Sequence, residues 1–203
     1  MHIDPFYPIL PDANWIARLV PLGIRIVQLR IKNLSEEQTK AQILASKAVC
    51  DRHGCHLIVN DFWRLARDSG SAGVHLGQED LSEADLDAIK AAGLMLGIST
   101  HDKIELDKAL AANPDYVALG PVFGTHSKVI DWAAQGLENV ARWREQVPAD
   151  LPLIAIGGIT VERATEVLHA GASSIAVIGD ILNAADPESQ TRRWLSQTEA
   201  LRA

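Results

Sequence analysis

The chain has 203 residues, 47% hydrophobic and 22% charged: enough apolar material for one globular domain over 1–203, and a charge content unlike that of disordered chains. A net charge of −7 and a pI near 5.4 argue against nucleic acid or an anionic membrane as the partner, so any anion binding must be local. No apolar run approaches a membrane span and no secretory pattern is visible, so a cytoplasmic protein is expected, compatible with self-association into a homo-oligomer.

Residues 6–10 read as a first strand, ended by Pro11-Asp12, and 14–20 as a short helix. A second strand is expected over 24–30, within a stretch that alternates as far as Lys32. Ser35 and Gln38 make a capping box for a helix that ends near His53-Gly54. Strands follow at 56–60, 73–76, 94–99, 116–120, 153–156 and 174–178. Helices are expected at 62–68, 82–92, 102–112, 137–146, 160–170 and 187–201, with 124–135 the longest irregular stretch. Strand alternating with helix implies parallel units, and eight such units of about 25 residues imply a closed (β/α)₈ TIM barrel. An open doubly wound sheet is disfavoured, because no G-x-G-x-x-G follows a first strand.

The second strand is the unusual one. Gln28, Arg30 and Lys32 share one face above Ile24 and Ile26, while Val27, Leu29 and Ile31 form the other. Two cations in a strand apolar on both sides need anions, or the solvated strand end. In this barrel class active sites lie at the C-terminal strand ends, and polar residues collect there. They are Gln28, Arg30 and Lys32; Asn60 and Asp61; Gln78, Glu79 and Asp80; Ser99 and His101; and Thr125, Ser127 and Lys128, while strand seven ends in Gly157 and Gly158 and strand eight in Ile178, Gly179 and Asp180.

Asp61 and Asp80 are the best pair of hard-cation ligands, because Mg²⁺ takes one or two carboxylates and fills its shell with water and phosphate oxygens. Taken singly, each is about as well read as a helix N-cap. Arg30, Lys32 and Lys128 supply positive charge suited to an anionic leaving group such as diphosphate. Gly157-Gly158 precedes a helix, where a phosphate is commonly held, with Thr125 and Ser127 able to add hydroxyls from a long loop suited to a lid. Two anion sites in one mouth suggest two phosphorylated substrates. His75 and His101 read as polar groups lining the barrel, the five tryptophans as packing, and Cys50 and Cys55 as buried or helix-end residues, not a metal site.

The set resembles the thiamine phosphate synthase family. Its Q-L-R-x-K, N-D, G-x-H-L-G-Q-x-D, G-[VI]-S-x-H, G-P-[VI]-[FY]-x-T-x-[TS]-K, Q-G-L and I-G-G-I motifs stand here at 28–32, 60–61, 73–80, 97–101, 120–128, 135–137 and 156–159. The resemblance implies a (β/α)₈ transferase that joins 4-amino-2-methyl-5-(diphosphooxymethyl)pyrimidine to a thiazole phosphate, giving thiamine phosphate and diphosphate. It implies that Gln28, Arg30, Lys32, Asn60, Ser99 and Lys128 hold the pyrimidine diphosphate, with Arg30, Lys32, Lys128 and Ser99 assisting its departure. Asp61 and Asp80 would bind Mg²⁺. Thr125, Ser127, Gly157, Gly158, Ile178 and Gly179 would hold the thiazole phosphate. The implied mechanism is dissociative: diphosphate leaves, and the thiazole nitrogen captures the pyrimidine-methyl cation without a general base. Gly124, Ser127, Gly179, the segment 129–134 and the N-terminal strand depart from the family pattern, and the departures cluster at the thiazole side and the lid. The alternatives are a thiazole tautomerase, a non-catalytic regulator of the same fold that binds thiamine phosphates, and, more remotely, a sugar-phosphate isomerase or epimerase.

Overall fold

The computed structural model describes residues 3–124, 134–199 and 201. Its strands are β1 (Phe6–Leu10), β2 (Ile26–Leu29), β3 (His56–Asn60), β4 (Gly73–Leu76), β5 (Met95–Thr100), β6 (Tyr116–Leu119), β7 (Leu153–Ile156) and β8 (Ser174–Val177). They close in sequence order, each parallel to the next, and β8 returns to β1 through Phe6↔Ile175. Between them run α1 (Ala13–Leu19), α2 (Glu36–His53), α3 (Trp63–Asp68), α4 (Gln78–Glu83), α5 (Leu86–Ala91), α6 (Lys103–Ala111), α7 (Gly136–Gln146) and α8 (Ala164–His169). After β8 come α9 (Gly179–Leu182) and α10 (Pro187–Glu199). The expected TIM barrel is what forms. Among the described residues no helix is long and apolar enough to cross a membrane.

The strands read apolar on both faces because both faces are covered. One set of side chains, including Val27, Leu29, Val59, Leu76 and Val177, packs against the helices. The other, including Tyr7, Ile9, Ile26, Ile58, Tyr116 and Ile154, fills the barrel interior. The register places Gln28 beside Ile9 and Ile58, and Gly97 beside His75 and Tyr116. Gly97 has a packing reason: a Cβ there would lie 2.0 Å from Cζ of Tyr116, so the ring occupies the space that the glycine leaves.

Several boundaries differ from the sequence reading, for local reasons. Ile24 lies before β2 and packs outward, on the opposite side from Ile26. β2 stops at Leu29, although the Arg30 N–H still donates to the Leu10 carbonyl at 2.9 Å and prolongs the ladder by one bond. The helix expected at 82–92 is two helices, because Ala84 is extended and Asp85 starts afresh as the N-cap of α5, accepting from the Ala88 N–H. The helix expected at 160–170 opens with a 3₁₀ turn at Val161–Arg163. α9 was not foreseen; four residues are too few for a periodic signal. The capping box forms as expected: Ser35 accepts from the Gln38 N–H, and the Gln38 side chain accepts from the Ser35 N–H.

Gly97→Ala is expected to cost about 3 kcal/mol in chemical denaturation, because the added methyl meets a ring with no room to move. Ser35→Ala should cost about 1 kcal/mol.

Candidate active site

The C-terminal ends of β2 to β5 form a polar rim, and Asp61 is its most constrained member. It follows β3 in the left-handed region at φ 66°, an uncommon conformation for a residue with a side chain. Its N–H donates to the His75 carbonyl at 2.9 Å, and its own carbonyl accepts from the Trp63 N–H at 2.8 Å. The helix-cap alternative fails for both acids. The N-cap residue of α3 is Phe62, without a side-chain cap, and Asp80 sits inside the first turn of α4. The Asp61 carboxyl meets that of Asp80. Burial, then the charge and hydrogen bond of Asp80, push Asp61 up to about 6, while Arg30 and the Asn60 side chain pull the other way. Asp80 also lies close to Gly77, whose added Cβ would stand 3.4 Å from Asp80 Oδ2.

This is a pair of hard oxygen donors forced together against their own repulsion, beside a guanidinium. Among the described residues no group of three or more His, Cys, Asp or Glu could hold a metal. The donor set therefore fits a cation that takes two protein carboxylates and completes its shell with water and substrate oxygens, as Mg²⁺ does. It does not fit a closed structural metal site.

Ser99, on β5, is fixed from several sides. Its carbonyl accepts from Gln78 Nε2 at 2.7 Å, and its Oγ is 2.8 Å from His75 Nε2. The neighbouring Thr100 hydroxyl donates to the Ala118 carbonyl at 2.7 Å. His75 Nδ1 is 3.0 Å from the Tyr116 hydroxyl, which is 2.9 Å from that of Tyr7, which accepts from Gln28 Nε2 at 3.2 Å. Burial, and secondarily Arg30, bring His75 down to about 4, so it is neutral at physiological pH. Burial holds both phenols well above their usual range. Tyr7 and Tyr116 were absent from the sequence reading. The available signal was the strand period, which turns both residues inward. His75 lines the barrel as expected. His101 does not: its Nδ1 and its N–H both meet Glu105 Oε2 on α6 at 2.7 Å.

Across the mouth, Gly157 and Gly158 adopt φ 101° and 63°. A Cβ on Gly157 would lie 2.6 Å from Pro121, and one on Gly158 would lie 2.5 Å from the Gly124 carbonyl oxygen. Both glycines are therefore required by conformation and by contact. Ile178 and Gly179 lead into α9. Next to them Asp180 Oδ2 accepts from the Val161 N–H, Gln190 Nε2 and Trp194 Nε1, at 3.2, 2.8 and 2.7 Å. One carboxylate thus ties the loops after β7 and β8 to α10.

Arg30, Asn60, Asp61, Asp80, Ser99 and Gln28 are therefore linked through direct or relayed interactions on one side, with Gly157, Gly158, Ile178 and Gly179 on the other. Lys32 is exposed beyond β2, with an interaction partner of its own. Thr125, Ser127 and Lys128 lie outside the described residues, as does 129–133. The chain is anchored again where its described part resumes. Gln135 and Gly136 donate their N–H groups to the Pro121 and Val122 carbonyls at 2.8 Å, and Gln135 Nε2 reaches the His101 carbonyl at 2.9 Å. A cavity of about 710 Å³ on the opposite face, lined by Lys90, Leu94, Asn113 and Asp115 among others, contains none of these site residues.

The family model described as thiamine monophosphate synthase matches residues 8–181. The chain belongs to the thiamine monophosphate synthase family. A thiamine-phosphate synthase from Rhizobium etli is 55% identical over 203 residues, covering 100% of this chain and 99% of the relative. Another, from Shigella dysenteriae, is 51% identical over 189 residues, covering 93% and 89%. The solved thiamine phosphate pyrophosphorylase of Pyrococcus furiosus superposes with a TM-score of 0.85 at 27% identity, over 98% of both chains. A solved structure described as native KDPGal, at 16% identity and a TM-score of 0.75, shares the fold alone.

Because Asp61 is raised, its proton stabilises the metal-free fold below pH 3.8, and that contribution is lost as pH rises through about 6. At pH 8 the like-charge cost is complete. Asp80→Asn should then bring Asp61 back toward the ordinary carboxylate range in an NMR titration. It should also stabilise the metal-free protein by about 1 kcal/mol, after allowance for solvent screening. Asp180→Ala removes an acceptor with three donors and should cost about 2 kcal/mol in thermal unfolding.

Proposed function

We propose that this chain is a thiamine phosphate synthase, a Mg²⁺-assisted transferase acting on two small phosphorylated substrates within a single barrel domain. The observation that carries the reading is the Asp61–Asp80 pair beside Arg30, at the end of a barrel that also has a glycine-lined loop after β7. Family membership and the named relatives support the substrate class.

Asp61 and Asp80 would hold Mg²⁺, which when bound supplies positive charge to the departing diphosphate. Arg30, Lys32 and Lys128 add fixed positive charge for the same anion, and Asn60 and Ser99 add neutral donors. Gln28 faces the pyrimidine from within the barrel. Its amide carries both a donor and an acceptor, matching the adjacent amino group and ring nitrogen of an aminopyrimidine. Thr125, Ser127, Gly157, Gly158, Ile178 and Gly179 would hold the thiazole phosphate, placing its ring nitrogen to capture the pyrimidine-methyl cation. No proton need be abstracted, and the neutral His75 is accordingly used as a hydrogen-bond partner, not as a base. The carboxylate pair is the feature that a thiazole tautomerase would leave without a task.

Purified protein given the pyrimidine diphosphate, the thiazole phosphate and Mg²⁺ should form thiamine phosphate and diphosphate, detected chromatographically. Folded protein that forms neither would overturn the assignment. Asp61→Ala and Asp80→Ala should each lower kcat by at least ~100-fold and remove the dependence on Mg²⁺. Full activity in either variant would remove the carboxylates from the metal site.

A further inference from the structure

The barrel interior contains a continuous polar chain, from Gln28 on β2 through Tyr7 on β1 and Tyr116 on β6 to His75 on β4 and Ser99 on β5. The first four residues are 2%, 1%, 0% and 6% exposed, so their partners are one another and not solvent. The Tyr7 and Tyr116 rings meet edge-on at 6.0 Å and 85°, and Tyr116 stacks on His75 at 5.6 Å and 22°. With Gly97 leaving the space for Tyr116, this packing holds the hydroxyls at hydrogen-bond distance.

Donor and acceptor counting gives the chain a direction. Gln28 presents an amide N–H to the Tyr7 oxygen. Each phenol has one proton. Tyr7 then donates to Tyr116, and Tyr116 donates to His75 Nδ1. A neutral imidazole that accepts at Nδ1 is protonated at Nε2. Nε2–H therefore donates to Ser99 Oγ, and the serine's own proton points away from the imidazole. The opposite polarity would aim the Tyr7 proton at the Gln28 N–H donor, leaving a buried hydroxyl unsatisfied.

We propose that Tyr7, Tyr116 and His75 are positioning residues that carry the donor sense of Gln28 across the barrel and so present the Ser99 hydroxyl proton toward the diphosphate. The chemistry requires this sense. Diphosphate oxygens only accept, so a serine that donated to His75 would turn lone pairs toward an anion. The chain also makes the pyrimidine-facing amide and the diphosphate-facing hydroxyl two ends of one device. The kinetic part rests on the proposed synthase reading; the protonation pattern of His75 does not.

The test uses the full chain with ¹⁵N-labelled histidine, His75 being assigned by the signal lost in His75→Asn. At pH 7.5 the ring shifts should show Nδ1 bare and Nε2 protonated. Gln28→Glu replaces the donor by an acceptor and should move the proton to Nδ1; an unchanged pattern overturns the proposal, as does Nδ1–H in the unmodified protein. Tyr116→Phe, its fold checked by circular dichroism, should lower kcat about 10-fold. In a Ser99→Ala background the same change should cost less than about 2-fold, because its route to the substrate is already cut. Equal losses in both backgrounds would make Tyr116 a packing residue only. Should the unmodified protein form no thiamine phosphate, the synthase reading fails, and the ring shifts alone decide the relay.

Discussion

A closed parallel barrel leaves no strand edge, and every second side chain of every strand is committed to an enclosed interior. That constraint organises this molecule. An apolar interior side chain needs only to fill volume, whereas a polar one must find a partner inside the ring or at its mouth. Gln28, Tyr7, Tyr116 and His75 solve the problem collectively, and the solution ends on Ser99 at the rim. Packing and chemistry are thus not separate layers. Gly97, which looks like a weakness in a strand, is the opening through which a tyrosine enters the polar chain.

The rim follows a different logic. There the chain assembles groups that dislike each other. Asp61 is held in a left-handed turn against Asp80, so its charged form is penalised by burial and by a like neighbour. Stability alone would not select such a pair. In the proposed function the Mg²⁺ would relieve this cost, which burial and Asp80 already impose on Asp61. Arg30 offsets part of that cost permanently.

Much of this was readable from residues alone. The strand order and barrel class follow from alternation with turn signals, and the capping box at Ser35 and Gln38 formed as written. The structure brings Gln28, Arg30, Asn60, Asp61, Asp80 and Ser99 together as the strand ends implied, although each acid taken singly had an even bland explanation as a helix cap. What escaped was what depends on contacts between distant strands. Tyr7 and Tyr116 sit 109 positions apart and look like ordinary aromatic strand residues until closure brings their hydroxyls together. The break at Ala84 escaped because Ser82 to Ala92 keeps a helical pattern through a residue whose backbone is extended. The cap readings failed because Asp61 lies one residue before the N-cap of α3 and because α4 begins two residues ahead of Asp80, offsets that periodicity does not resolve.

The loops after β6 and β7 interlock so closely that they form one object. Val122 and Phe123 donate to the carbonyls of Ile156 and Gly157, and the α-carbons of Gly157 and Gly158 face Pro121, Phe123 and Gly124 with no room for a methyl group. For anyone who wishes to reshape the thiazole-phosphate site proposed here, this closes the obvious route of planting a new side chain on the glycine pair. Redesign there would have to recast both loops together.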